Sequence, residues 1–169
     1  MSKPRIMLGG VEITPLTGAA AETLEPAGGS SLHRMSDGSL VKQTLWSKLQ
    51  GSISAEGWLP PGLDGLDFSL PLELRSTKWQ AIGGTVLVYT LPSTPRPDFA
   101  PLGQAWVGRN WVRTGCVVVD GVATLQPRAG AERYRVTWLP VFSVFCERPS
   151  EAQNGQNDSH SWSLNWQEA

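Results

Sequence analysis

The chain has 169 residues, with 14 Lys plus Arg against 15 Asp plus Glu and a formal net charge of −1. That length builds a hydrophobic core without metal or disulfides, and a near-neutral chain with no basic run speaks against an electrostatic nucleic-acid binder. Charged residues make up only 17% while Trp reaches 8, Gly 18 and Pro 13, a balance that predicts an all-β chain rich in turns that buries surface against partners.

The opening "PRIMLGGVEI" predicts two short strands around Gly9 and Gly10. It lacks the apolar stretch of a signal peptide, and no apolar run approaches the ~18 residues of a membrane helix. A soluble chain with no membrane insertion is therefore expected. Residues 14–31, "TPLTGAAAETLEPAGGSS", are small, polar and broken by Pro26 and glycines. They read either as a surface loop or as an arm laid over a neighbouring subunit.

In the next segment, Leu32, Arg34 and Ser36 alternate with His33, Met35 and Asp37, and Asp37–Gly38 predicts a type I′ hairpin turn. The returning strand carries Trp46, expected in the core. A short strand, "GSISAEGW", leads into the loop "EGWLPPGLDGLD" of residues 56–67. Phe68, Leu70, Leu72 and Leu74 then alternate in a half-buried strand whose Pro71 marks an edge or bulge.

"GGTVLVYTL" has the composition of a strand. Four prolines in "PSTPRPDFAPLGQ" predict a long loop, and long ordered loops tend to be functional. Asp120–Gly121 marks a second hairpin turn. Tyr134, Val136 and Trp138 alternate in the strongest strand, and Asn154–Gly155 marks a turn within a polar connection. Trp162, Leu164 and Trp166 alternate in a closing strand hairpinned to the one before it. These signals total about eight to ten strands, a β-sandwich or open barrel with long Pro/Gly-rich loops. Residues 1–31 form an N-terminal strand pair and arm or loop, and residues 32–169 the sandwich with its C-terminal strand.

Little in the chain points to chemistry. Cys116 and Cys146 lie in apolar runs and read as two buried thiols of a reducing cytoplasm. His33 and His160 have no metal-ligand spacing. No G-x-S-x-G, P-loop or G-x-G-x-x-G follows a strand. No catalytic, metal or cofactor residue is assigned, and the chain is not read as an enzyme. Asp64 and Asp67 stand three apart in the unusual loop. They could face a cation or form half of a hydrolytic pair, but companion ligands are missing. An Asp in such a loop more often closes a turn by accepting from the N–H two residues on.

The loop tryptophans have three readings. Trp58, Trp106 and Trp111 serve as satellite core, as interface anchors, or as a sugar-stacking platform. Trp138, like Trp46, is expected in the core. The candidate subunit interface comprises Trp58, Leu59, Pro60, Pro61, Leu63 and Asp64 of the 57–67 loop. Phe99, Trp106 and Trp111 join it from the region around the proline-rich segment.

"DGSLVKQTLWSKLQGSISAEGWLPPGLDGLD", "RYRVTWLPVFSVF" and "SWSLNWQEA" together resemble tail proteins of long-tailed bacteriophages, of the distal tail or baseplate ring kind. The shared style is a lysine-bearing strand, an "ISxxGWxPPGL" segment and a late "WSL" strand. The resemblance implies a structural subunit without cofactor or catalytic residues. It implies a homo-oligomeric ring, a hexamer, around the tail axis, in contact with tube, hub or tape-measure proteins. Such a subunit is made in the host bacterial cytoplasm and resides in the virion tail. The length leaves room for a ring-forming domain and little for a receptor-binding insertion. The alternative reading is a carbohydrate-binding β-sandwich that adheres to a host surface through exposed tryptophans.

Overall fold

Period-two patterning becomes strand along most of the chain in a computed structural model, which describes residues 4–169. The protein is all-β among the described residues, with several antiparallel sheets and no closed barrel. Among the described residues there are nineteen strand segments, five of them only two residues long, and one 3-10 turn at Pro15–Thr17. The shortest segments lie in the Gly/Pro-rich stretches that the sequence marks as loops. The chain divides into two compact units, one built from Leu8–Leu72 and Ser143–Ala169, the other from the residues up to Met7 and Glu73–Phe142.

The first unit is organised by Leu49–Gly57. This strand pairs along its length with Ser159–Glu168, from Gln50 opposite Gln167 to Gly57 opposite His160. Ser159–Glu168 also pairs with Ser150–Asn154 and, at its far end, with Val144–Cys146. Alternation turns Trp162, Leu164 and Trp166 inward beside Ile53, all buried. Burying each such side chain contributes roughly 1.5–3 kcal/mol. The backbone beyond Glu168 is tied down as well: Ala169 N–H donates to Ser143 O at 2.8 Å.

Residues 14–31 are tied to their own unit. Ala21–Glu22 and Glu25–Pro26 pair with the open edge of Leu49–Gly57, and buried Trp162 donates its indole N–H to Thr17 O at 3.0 Å. The approach is close enough to require two glycines. A Cβ on Gly51 would lie 2.1 Å from Thr23 O, and one on Gly57 would lie 2.3 Å from Gly18 N.

The second unit has a four-stranded sheet in the order Asn110–Thr114, Leu102–Val107, Ala131–Trp138, Gln80–Gly84. A three-stranded sheet has the order Val88–Thr90, Val122–Leu125, Cys116–Val119. Both contribute to one core, in which Tyr89, Ala123 and Leu125 meet Ala105, Val136 and Trp138. Trp138 is fully buried and donates its indole N–H to Ser93 Oγ at 2.9 Å.

The proline-rich stretch is held by a buried cation. Arg96, only 3% exposed, forks onto Asp98 with Nε at 2.9 Å and Nη2 at 2.7 Å. Its Nη1 donates to the carbonyls of Arg5 and Ser76, at 2.8 and 3.2 Å. The guanidinium bond holds the Asp98 carboxyl below the usual carboxylate range, against a smaller opposing effect of burial. An arginine between two prolines reads as solvent-exposed in sequence. Here a bidentate partner and backbone acceptors offset its desolvation.

Several expectations need correction. The hairpin Ser30–Arg34/Leu40–Thr44 forms, but Asp37–Gly38 is not its type I′ turn. Gly38 alone has positive φ, at 85°, and Gly38 N donates to Met35 O while Met35 N donates to Ser39 O. This is a bulged closure, fixed by Asp37 accepting from Ser39 N and Oγ at 2.9 and 2.7 Å. Asp120 and Gly121 do have positive φ at both positions, 49° and 75°, as a type I′ turn demands.

Trp46 is not in the core. It is 49% exposed, because among the described residues the hairpin preceding it has no third strand to make a covered face. The strand expected from Phe68 starts only at Leu72. Asp67 folds Ser69 into a turn, and Pro71 offers no N–H to a ladder. The polar connection after Cys146 contains a further strand, Ser150–Asn154.

Candidate functional site

The 57–67 loop is anchored at its start, where Trp58 N and Leu59 N both donate to Leu16 O, at 2.8 and 3.1 Å. Beyond that point it splits in two. Pro61 and Leu63 turn inward and are buried. Trp58 is 68% exposed, and Leu59 and Pro60 are exposed beside it. Leu63 therefore serves its own core, whereas Trp58 and Leu59 present apolar surface to solvent.

Asp64 and Asp67 do not converge. Asp64 pairs with Arg148 at 2.6 Å, both side chains well exposed. Asp67 accepts from Ser69 Oγ and Ser69 N at 2.6 and 3.0 Å, and these bonds hold its carboxyl below the usual range. One carboxylate is in a surface ion pair and the other closes a turn. Among the described residues, no group of three or more His, Cys, Asp and Glu side chains is placed to hold a metal ion. Burial pushes the thiols of Cys116 and Cys146 up, which keeps them protonated and poorly nucleophilic.

Trp106 and Trp111 are brought together. They stand opposite each other across the hairpin of Leu102–Val107 and Asn110–Thr114. Their rings meet at 5.3 Å and 61°, and the Arg135 guanidinium sits 4.5 Å from the Trp111 ring centre. One ring edge faces the other ring, and a cation occupies a face, so this is not a flat stacking platform. Phe99 meets a residue the sequence reading did not single out, Trp79, at 5.4 Å and 78°.

The larger exposed apolar surfaces lie elsewhere. Every residue from Ser30 to Lys48 is exposed. The hairpin thus presents Leu32, Met35, Leu40 and Val41 to solvent, followed by Leu45 and Trp46. Leu45 is 79% exposed. A second surface is the outer face of the three-stranded sheet in the other unit. Register aligns Val88, Thr124 and Val117 in one row and Thr90, Val122 and Val119 in the next. Val119 is 63% exposed, and Val88 and Val117 nearly as much. The signal was present in "CVVVDGVATL": a strand with β-branched residues at consecutive positions has two apolar faces, and one sheet can cover only one of them.

Among the described residues, no helix is long and apolar enough to cross a membrane. In comparison with known proteins, the chain matches no family model, no curated protein and no solved structure.

Proposed function

We propose that this chain is a structural subunit that assembles with copies of itself, and that the assembly is a ring near the tail tip of a long-tailed bacteriophage. The observation that carries the reading is the hairpin Ser30–Arg34/Leu40–Thr44, exposed on both faces along its whole length. A two-stranded hairpin alone is marginally stable in water. This one also holds Leu32, Leu40 and Val41 in solvent. Covering by the next subunit removes that surface from water and pairs its open edges.

The valine-lined sheet face supplies a second apolar surface, unlike the first. Contact between unlike surfaces of identical chains is heterologous, and it closes into a ring where the rotation allows. The tail assignment draws further on the resemblance of residues 37–67 and 133–169 to distal tail proteins. In that setting the ring surrounds the tail axis and joins the tube to the hub or tape measure.

Light scattering coupled to size exclusion tests the self-assembly. The wild-type chain is expected to form a ring-sized species, and Leu32→Ser combined with Val41→Ser to leave monomers with an unchanged melting temperature. A wild-type chain that stays monomeric at high concentration and is absent from purified virion tails would reject the proposal.

A further inference from the structure

The outer face of the first unit's sheet carries a row of side chains distinct from those of the exposed hairpin. Register places Phe145 opposite Gln167, Gln167 opposite Gln50, and Gln50 opposite Glu25. Four neighbouring strand segments therefore contribute one row across the sheet. At the usual strand spacing that row is about 14 Å long. Beside it, Asn165 lies opposite Ser52, and Ser52 Oγ shares a hydrogen bond of 2.9 Å with Thr23 Oγ1. Phe68 and Glu147 border this floor and make it a groove of about 770 Å³.

The groove's chemistry is selective. Its amides and hydroxyls both donate and accept, and Glu25 and Glu147 add acceptors. Among the described residues that line it, none is basic. Phosphates, nucleic acids and sulfated or uronic polymers would meet carboxylates there without a counter-charge. The floor is a sheet face with its backbone hydrogen bonds already made, so it gives a peptide no edge to extend. Phe145, 47% exposed at one end of the row, offers an aromatic surface to apolar C–H groups. A ligand dense in neutral hydroxyls with apolar faces meets all of these terms.

We infer that this sheet-face groove, floored by Gln50, Asn165 and Gln167 and flanked by Phe68 and Phe145, binds a neutral oligosaccharide. The amides bond vicinal hydroxyls, and a phenyl ring packs against the face of a sugar ring. The site is separate from Trp58, Trp106 and Trp111. It does not depend on the assembly proposed above, since every lining residue comes from one unit of one chain.

The full-length chain is titrated calorimetrically with chitohexaose, cellohexaose and maltohexaose as neutral probes and with dextran sulfate as the anionic control. Binding is expected for at least one neutral probe and not for dextran sulfate. Gln167→Ala and Phe145→Ala change exposed side chains, and each is expected to weaken that binding roughly tenfold. Trp58→Ala and Trp111→Ala are expected to leave it unchanged. The inference is overturned if no neutral probe binds at millimolar concentration, or if dextran sulfate binds. A loss in the tryptophan variants, with none in Gln167→Ala and Phe145→Ala, overturns it as well.

Discussion

Two hairpins of this protein carry the same Asp-Gly dipeptide at their turns and end in opposite surroundings. In Cys116–Val119/Val122–Leu125 the inward residues Ala123 and Leu125 are buried in the core of their unit. In Ser30–Arg34/Leu40–Thr44 neither face is buried. Even the turns differ, with positive φ at Asp120 and Gly121 but at Gly38 alone in the other. Turn residues and alternation specify that a hairpin forms. What lies over it is decided by distant segments or by another chain.

The two hairpins are expected to differ most when one leucine is truncated in each. Leu125→Ala removes a side chain only 2% exposed, and is expected to cost about 2–5 kcal/mol in denaturant unfolding. Leu32→Ala is expected to change monomer stability by less than ~0.5 kcal/mol while weakening self-association. Equal costs for the two would mean that the exposed hairpin packs on its own chain in solution.

Arg96 extends the contrast between buried and exposed groups. Arg96→Met leaves the Arg5 and Ser76 carbonyls without their cationic donor. It is expected to lower stability by about 2–3 kcal/mol and to expose residues 92–101 to limited proteolysis. Replacing exposed Arg34, which donates to Gly38 O, should do neither.

A smaller effect separates the turns. Gly121→Ala and Gly38→Ala both place a Cβ at positive φ, at a cost of roughly 1 kcal/mol each. For Gly121 the loss is expected in global unfolding. For Gly38 it is expected as faster amide exchange confined to residues 30–44.

The smallest difference concerns pH. The Asp98 carboxyl is held down in the folded state by Arg96. Its contribution is therefore present above the unfolded carboxylate pKa of about 4 and is lost as pH falls through the lower folded value. Wild type and Asp98→Asn should differ in melting temperature at neutral pH and converge in acid below that pH.

Where burial follows strand periodicity, the sequence was legible. Trp162, Leu164 and Trp166, and likewise Tyr134, Val136 and Trp138, turn inward as their alternation demands. Asp67 closes a turn through Ser69, two residues on. Legibility failed where burial depends on pairing between distant segments. Nothing local to Trp46 reports that its hairpin lacks a third strand, and nothing around Arg96 reveals the Arg5 and Ser76 carbonyls. Within the 57–67 loop, composition marked Trp58 and Leu63 alike, and only the fold divides them. The groove was invisible for the same reason: Glu25, Gln50, Phe145 and Gln167 become neighbours through the register of four separate segments.

The pairing of Leu49–Gly57 with Ser159–Glu168 bears on the order in which the chain acquires its structure. During synthesis Leu49–Gly57 emerges early and waits while more than half of the chain is made. Nearly all of the second unit lies within that interval, between Glu73 and Phe142, and its contacts can form before residue 167 leaves the ribosome. The earlier strand meanwhile presents Ile53 and an unpaired edge to solvent. Lys48 and Glu56 bracket it with charge, and Ser52 and Ser54 interrupt its apolar run. The polar residues that face solvent in the finished sheet thus also keep a waiting strand from pairing with the wrong neighbour.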